Sequence, residues 1–325
     1  DEVGLEPSAE LRLLEQRILD QDPVLDTLAA FEPEAELAVI ADHNPYKGLR
    51  AFEEADAADF YGREALIRRL REVLVRRTGS RLVVLAGPSG SGKSSVVKAG
   101  LIPVLRGDGW SIATTFPGEE PLEALESAVD ALEAQSRSVL IVDQLEELIT
   151  LAPESSQQEF LDRLAELATT GDYLWVVATV RADFLDRLLI HPRFARLVEP
   201  ALVLVTPLED HEVRDVIAAP ASRVGATVEP DLVAAMVRDV AQRAAALPLL
   251  EYALTDLYDR AGGGPLTLHA LEAAGGISGA LVKRAEELYA GLDEAGRTTA
   301  RQLFLRLVTL TDEGEALRRR VATAS

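Results

Sequence analysis

Eight consecutive residues, Gly87-Pro88-Ser89-Gly90-Ser91-Gly92-Lys93-Ser94, interleave glycine with small polar side chains and finish on a cation and a hydroxyl. They satisfy G-x-x-x-x-G-K-[ST] at every fixed position, the spacing of a phosphate-binding loop. Glycine lets the backbone wrap so closely that successive N–H groups converge on phosphate oxygens, and a helix opening near Lys93 adds its positive end there. Gly87, Ser89, Gly90, Ser91, Gly92, Lys93, Ser94 and Ser95 are therefore the expected nucleotide contacts. Lys93 should reach the β and γ phosphates, and the Ser94 hydroxyl should ligate Mg²⁺. Further on, SVLIVDQLEEL places four apolar residues before Asp143, which is expected to hold the same Mg²⁺ through water. Glu146 and Glu147 follow three and four residues later. Either could orient an attacking water, and the other would then be a solvated acid at a helix start. After LWVVAT comes Arg181, where a guanidinium could touch a γ-phosphate, tell ATP from ADP and steady transition-state charge. The competing reading pairs Arg181 with Asp183 or Asp186.

These groups need a scaffold, and the hydrophobic pattern supplies one. Residues 81–86, RLVVLA, form a short, nearly all-apolar run that ends at the glycine-rich turn, as a buried parallel strand does. Helix 93–106, strand 110–115, helix 121–134, strand 139–142, helix 156–168, strand 174–179 and a last strand near 202–205 continue the alternation. Strands alternating with helices imply a parallel sheet covered on both faces, preceded by a helix over 64–77 with Leu66, Leu70, Val73 and Leu74 on its apolar face. The strand intervening between the two motif strands places the sheet in the P-loop division with an extra strand between them. From Glu209 strand signals stop. Helical patterns at 209–219, 231–243, 248–260 and 278–291 describe an all-helical second region, and another helical unit begins after residue 292.

Upstream, residues 8–20 place Leu11, Leu14, Ile18 and Leu19 on one helical face, with Ser8 as N-cap and Pro23 as stop. An acidic linker follows and ends near Pro45. The expected organisation is a helical tail over 1–30, a linker over 31–44, a nucleotide-binding region over 45–208, a helical lid over 209–291 and the start of a further unit over 292–325.

Composition narrows the chemistry. The 325 residues are 48% apolar and 27% charged, enough for a sizeable core, and the net charge of −21 would repel DNA or anionic lipid. The absence of cysteine excludes a thiolate nucleophile and metal sites built on thiolates. His43, His191, His211 and His269 are scattered, with no metal-ligand spacing. No apolar run approaches the ~18 residues needed to span a bilayer. The acidic opening, without Met, lacks the features of a signal peptide. The chain is thus expected to be cytoplasmic, to keep off membranes, and to be cut from something longer.

Taken in order, these marks resemble the STAND-class signalling ATPases, the bacterial novel STAND group in particular. Phe60-Tyr61-Gly62-Arg63-Glu64 is similar to that family's entry motif, which lines the adenine pocket. The phosphate loop comes next, DQLEE resembles its second acidic motif, and Thr179-Val180-Arg181 resembles its T-T-R sensor with valine in the middle. Ala246-Leu247-Pro248 resembles the G-x-P of the helical domain, whose proline packs against adenine, although alanine replaces the glycine. The resemblance implies ATP or ADP with Mg²⁺ as ligands, Tyr61, Gly62, Arg63 and Pro248 at the base, a winged helix starting in the last unit, self-association in the ATP state, and sensor repeats beyond this chain. The segment GLEPSAELRLLEQRILDQDPVL is similar to the end of the activation domain of SARP-type transcriptional regulators, whose DNA-binding domain would likewise lie outside this chain.

The resulting expectation is an α/β P-loop NTPase core followed by a helical lid and the start of a winged helix, acting as a slowly hydrolysing nucleotide switch in transcription. Two rivals have distinct signatures. A continuously cycling AAA-type remodelling motor needs pore-loop aromatics, and aromatic residues are 5% here. A STAND-type antiviral defence sensor would carry a nuclease or protease before residue 1 instead of a DNA-binding domain.

Overall fold

In the computed structural model, which describes residues 43–75, 80–133, 136–170, 173–241, 246–310 and 316–318, the apolar stretches of the sequence become the centre of a sheet. The chain divides into two compact units, Asp1–His43 and Asn44–Ser325, and the described elements belong to the second. The helix expected over residues 8–20 lies outside the described residues. Helix α1 (Glu64–Val75) precedes strand β1 (Leu82–Gly87), which is buried at every position. After the glycine-rich turn, α2 runs through Lys93–Ser95, a π-helical stretch Val96–Leu101 and Ile102–Gly107. Then come β2 (Ser111–Thr115), α3 (Pro121–Asp130), β3 (Ser138–Val142), α4 (Glu147–Thr150), α5 (Glu154–Thr169), β4 (Leu174–Arg181), α6 (Leu185–Leu189), α7 (Pro192–Val198) and β5 (Leu202–Leu204).

All pairings in this five-stranded sheet are parallel, in the order β2-β3-β4-β1-β5. An extra strand does separate the two motif strands β1 and β3, but it is β4, whereas the strand that intervenes in sequence, β2, sits at the edge. Register explains why β4 belongs there: seven of its eight residues are apolar or small enough to be covered by neighbours on both sides, and six of its positions are fully buried. By contrast, three of the five β2 positions are partly or fully exposed. Alternate residues of the sheet face two cores. Leu82, Val84, Leu140, Val142, Val176 and Ala178 pack against α3, α5 and α7 through Leu125, Phe160, Leu164 and Phe194. Val83, Leu85, Val139, Ile141 and Val177 pack against Leu70 and Leu74 of α1 and Val97, Leu101 and Leu105 of α2.

Beyond the sheet, α8 (Asp210–Arg223), α9 (Pro230–Ala241), α10 (Leu247–Ala261), α11 (Leu268–Ala273) and α12 (Gly276–Gly291) surround a separate core that includes Ile217, Leu232, Met236, Leu250, Leu254 and Ile277. The pattern had ended the first of these helices before Pro220, yet α8 continues to Arg223 with Pro220 buried inside it. Helix α13 (Glu294–Leu307) and the antiparallel pair β6 (Val308–Leu310) and β7 (Ala316–Arg318) occupy the place where a winged helix was expected to start. The residues after Arg318 lie outside the described set.

The segment leading into α1 reaches both cores. Tyr46, 2% exposed, is part of the helical core, where its hydroxyl donates to the Ile217 carbonyl. Asn44 Nδ2 donates to Thr255 O at 3.0 Å and Asp259 Oδ1 at 2.8 Å. Six residues after Tyr46, the Phe52 N–H donates to Ser95 Oγ at 3.2 Å, on the phosphate-loop helix.

Candidate nucleotide site

Parallel register collects the chemistry at the carboxyl ends of the strands, where open α/β sheets bind ligands. Gly87 pairs with Arg181, and Val142 pairs with Ala178, so Asp143 emerges beside Thr179. Asp143 is completely buried. Its Oδ1 accepts from Ser94 Oγ at 2.8 Å, Thr179 Oγ1 at 2.6 Å and the Gln144 N–H at 3.2 Å. Among the described residues its Oδ2 has no hydrogen-bond partner, and Lys98 Nζ stands 3.8 Å away. A buried carboxylate oxygen that accepts no hydrogen bond is costly, so this atom marks a place prepared for a further positive charge. With the Ser94 hydroxyl beside it, the donor set is hard oxygen, which fits Mg²⁺ held by few protein ligands.

Tyr61, Arg63, Ser89, Gly90, Ser91, Gly92, Lys93, Ser94, Ser95, Glu146, Arg181 and Pro248 all line one cavity of about 290 Å³. Asp143, Gly62, Gly87 and Glu147 do not line it. Gly87 acts through spacing: a Cβ there would lie 2.9 Å from Ser91 Oγ and 3.0 Å from Val205 O. Sequence reasoning missed the strap Gly48–Phe52, together with Leu208, Val216 and Glu251, which extend the wall. No motif flags them, because they are ordinary residues brought in from four different elements.

The entry motif has a mechanical role. Gly62 has a φ of 81°, and a Cβ added there would fall 2.7 Å from Val216 Cγ2 and 2.8 Å from the Glu212 carbonyl of α8. Gly62→Ala is therefore expected to destabilise the chain by about 1–3 kcal/mol, from left-handed strain plus a clash with backbone. Urea unfolding of the full chain measures it, and a loss under about 0.5 kcal/mol would mean α8 moves aside freely. The neighbouring Arg63 is buried, which lowers its pKa, and its guanidinium donates to Thr206 O at 3.0 Å and Ser91 O at 3.2 Å. It thereby braces the phosphate loop from the side.

Lys93 Nζ folds back onto the loop, donating to Gly87 O at 3.0 Å and Pro88 O at 2.8 Å. Burial lowers its pKa, and the charge of Glu146 offsets part of that effect. The two candidate acids separate in space. Glu146 is buried on the cavity wall, and its Oε2 accepts the Arg181 N–H at 3.1 Å, whereas Glu147 opens α4 away from the cavity. Arg181 lines the cavity and chelates Asp183, at 3.1 Å from Nε and 2.6 Å from Nη2, which is the ion pair of the competing sequence reading.

A parallel sheet with β4 between the two motif strands, and a glycine loop feeding a helix beside a buried acid, define a P-loop NTPase of the α/β ATPase fold. Residues 45–325 match the family described as Novel STAND NTPase 1, and the chain belongs to that family. Over 103 residues it is 34% identical to Regulatory protein AfsR of Streptomyces coelicolor, a match covering 30% of this chain and 10% of AfsR. The chain thus spans about a tenth of that relative's length. Among solved structures it is similar to the ORC1 protein of Aeropyrum pernix, solved in complex with DNA, with a TM-score of 0.53 and 20% identity over 76% of this chain and 72% of that one. It also resembles a RuvB mutant of Thermotoga maritima, with a TM-score of 0.49 and 16% identity over 81% of this chain and 94% of RuvB. The ORC1 likeness supports the fold. No helix among the described residues is long and apolar enough to cross a membrane.

Proposed function

We propose that this chain is the ATP/ADP switch of a transcriptional regulator, in which bound nucleotide ties the sheet to the helical bundle and slow hydrolysis resets the state. The observation that carries this reading is the shared cavity: phosphate-loop residues Ser89–Ser95 on one side, Leu247 and Pro248 of α10 on the other. A ligand touching both halves stabilises their closed arrangement by the free energy of its contacts to each. Exchange of ADP for ATP can then open the lid and permit self-association, provided the two nucleotides differ in affinity for the two states.

In this reading residues 45–208 bind nucleotide, 209–291 are the lid and 292–325 begin a winged helix, while 1–30 end an activation domain joined by the linker 31–44. The similarity to AfsR, a regulatory protein, supports the transcriptional setting. DNA would be engaged through a domain outside this chain, and the inducing partner through repeats likewise outside it. Lys93 leaves the Gly87 and Pro88 carbonyls to meet the β and γ phosphates. Ser94 and Asp143 would hold Mg²⁺, which would supply positive charge to neutralise the phosphate oxygens. Glu146 takes a proton from the attacking water while its other oxygen stays fixed by the Arg181 N–H. Arg181, anchored by Asp183, offers its guanidinium to the γ-phosphate. Tyr61, Gly62, Arg63 and Pro248 shape the base end.

Pro248 stands in the first turn of α10. Pro248→Gly removes its ring from the cavity wall and is expected to weaken ADP binding by about tenfold, the loss of one buried apolar contact. It should also shift the ATP-bound protein toward larger assemblies. Calorimetry with ADP and light scattering with ATP test both. Unchanged ADP affinity with an unchanged mass distribution would reduce the proline to a helix-start residue and remove the main support for the two-part switch.

A further inference from the structure

Glu251 stands one helical turn beyond Pro248 on α10, and both side chains line the cavity. Around them the wall is apolar, with Leu49, Phe52, Leu208, Val216 and Leu247. A carboxyl contributes nothing to packing such a wall and would repel phosphates, so its natural counterpart is a neutral polar ligand group. Its Oε2 accepts the Lys47 N–H at 3.3 Å, and among the described residues no other hydrogen bond engages it. Burial pushes its pKa up to about 7, with the Lys47 N–H and charge pulling the other way. Near neutrality a large share of molecules therefore carries the proton. Because Oε2 accepts the Lys47 N–H, the proton belongs on Oε1, and the protonated carboxyl presents an O–H donor at Oε1 beside a carbonyl acceptor at Oε2 in one fixed order.

Adenine offers the complementary pair on one edge, the N6 amino donor next to the N1 acceptor. Guanine offers the reverse, an O6 acceptor beside N1–H and N2–H donors, which suits an ionised carboxylate. We propose that Glu251 reads the Watson–Crick edge of the bound base and gives the site its preference for adenine over guanine nucleotides. This rests on nucleotide occupying the cavity as proposed above, and adds the residue that selects the base. The sign follows from the chemistry. Below its pKa the carboxyl matches adenine; as pH rises through that value the ionised form loses the donor and gains affinity for guanine. The other titratable groups around the strap and cavity are Tyr46, Lys47, Arg50, Asp59, Tyr61 and Arg63, with Lys93, Glu146 and Arg181 at the phosphate-loop end; Lys47 is bridged to Asp56 at 2.6 Å and Asp59 to Arg223 at 2.8 Å. Effects of these groups, or of phosphate ionisation, act on ATP and GTP alike and cancel in the ratio of affinities.

The test is competition of ATP and GTP against a fluorescent nucleotide on the full chain, at about pH 6 and about pH 8.5, either side of the titration. The parent should favour ATP at the lower pH, and less so at the higher. Glu251→Leu should cut the ATP/GTP ratio by about tenfold at the lower pH, the loss of a paired contact. Glu251→Gln, whose amide also sets an acceptor beside a donor, should keep the ratio and abolish its pH dependence. A ratio indifferent to Glu251→Leu, or equal weakening of both nucleotides, would overturn the proposal and leave Glu251 a brace for Lys47. If Glu251→Leu does not fold, a parent ratio that is flat across pH overturns it equally. Failure of the parent to bind either nucleotide would instead overturn the nucleotide reading itself.

Discussion

Replacing Lys93 with alanine is expected to abolish tight binding of ATP and ADP together, a loss of about a hundredfold or more. The ammonium is buried, its pKa is lowered by that burial, and the carbonyls of Gly87 and Pro88 hold it at 3.0 and 2.8 Å. Phosphate oxygens can replace those carbonyls with charge-assisted bonds, each worth about 1.5–3 kcal/mol, so losing two of them accounts for the magnitude. No other lysine or arginine lies within the loop Gly87–Ser94 to take over. Lys93 itself lines the cavity, so water can enter the space its side chain leaves, and the fold itself should survive. Thermal unfolding separates the two effects: saturating ADP should raise the midpoint of the parent, by linkage of about 2.7 kcal/mol at a hundredfold excess over Kd, and leave the variant where it was. Fluorescent-nucleotide affinity within about twofold of the parent would mean that the loop is not where nucleotide binds.

The second large effect concerns the attacking water. Glu146→Gln should slow single-turnover hydrolysis by about 10²–10³, because an amide cannot accept the proton. ATP affinity should change by less than about threefold, since the side chain keeps its size and can still accept the Arg181 N–H. Glu147→Gln should leave the rate within about twofold, because that residue starts α4 outside the cavity wall. If Glu147→Gln is the slow variant, the facing of this turn changes when ATP binds and the role passes to Glu147. If neither is slow, a different group orients the water.

The amino-acid sequence by itself determined everything that depends on neighbours in the chain. An apolar run of five residues, Leu82–Ala86, before three spaced glycines and a lysine can scarcely be other than a buried strand feeding a phosphate loop, and the change from alternating strands to helices after Glu209 is visible as a change of period. The resemblance of the ordered motifs to novel STAND ATPases was legible for the same reason, since each motif is local. Strand order was not. Putting β4 between β1 and β3 requires knowing which strand is covered on both edges, and that depends on partners far along the chain.

The choice between two adjacent acids was equally out of reach, and its cause lies two residues before the first of them. Gln144 adopts a φ of 54° without being glycine, held there as its N–H donates to Asp143 Oδ1 and, at 2.9 Å, to Thr179 Oγ1. That twist turns Glu146 inward, and no residue type in DQLEE announces it. The far end of the cavity shows the same limit: Gly48–Phe52 and Glu251, some 200 residues apart in sequence, meet because Tyr46 and Asn44 anchor the strap to the bundle while Phe52 ties it to Ser95. Local propensity selects conformations for a few residues at a time. Only burial of the sheet and bundle cores brings these distant, unremarkable side chains to one cavity.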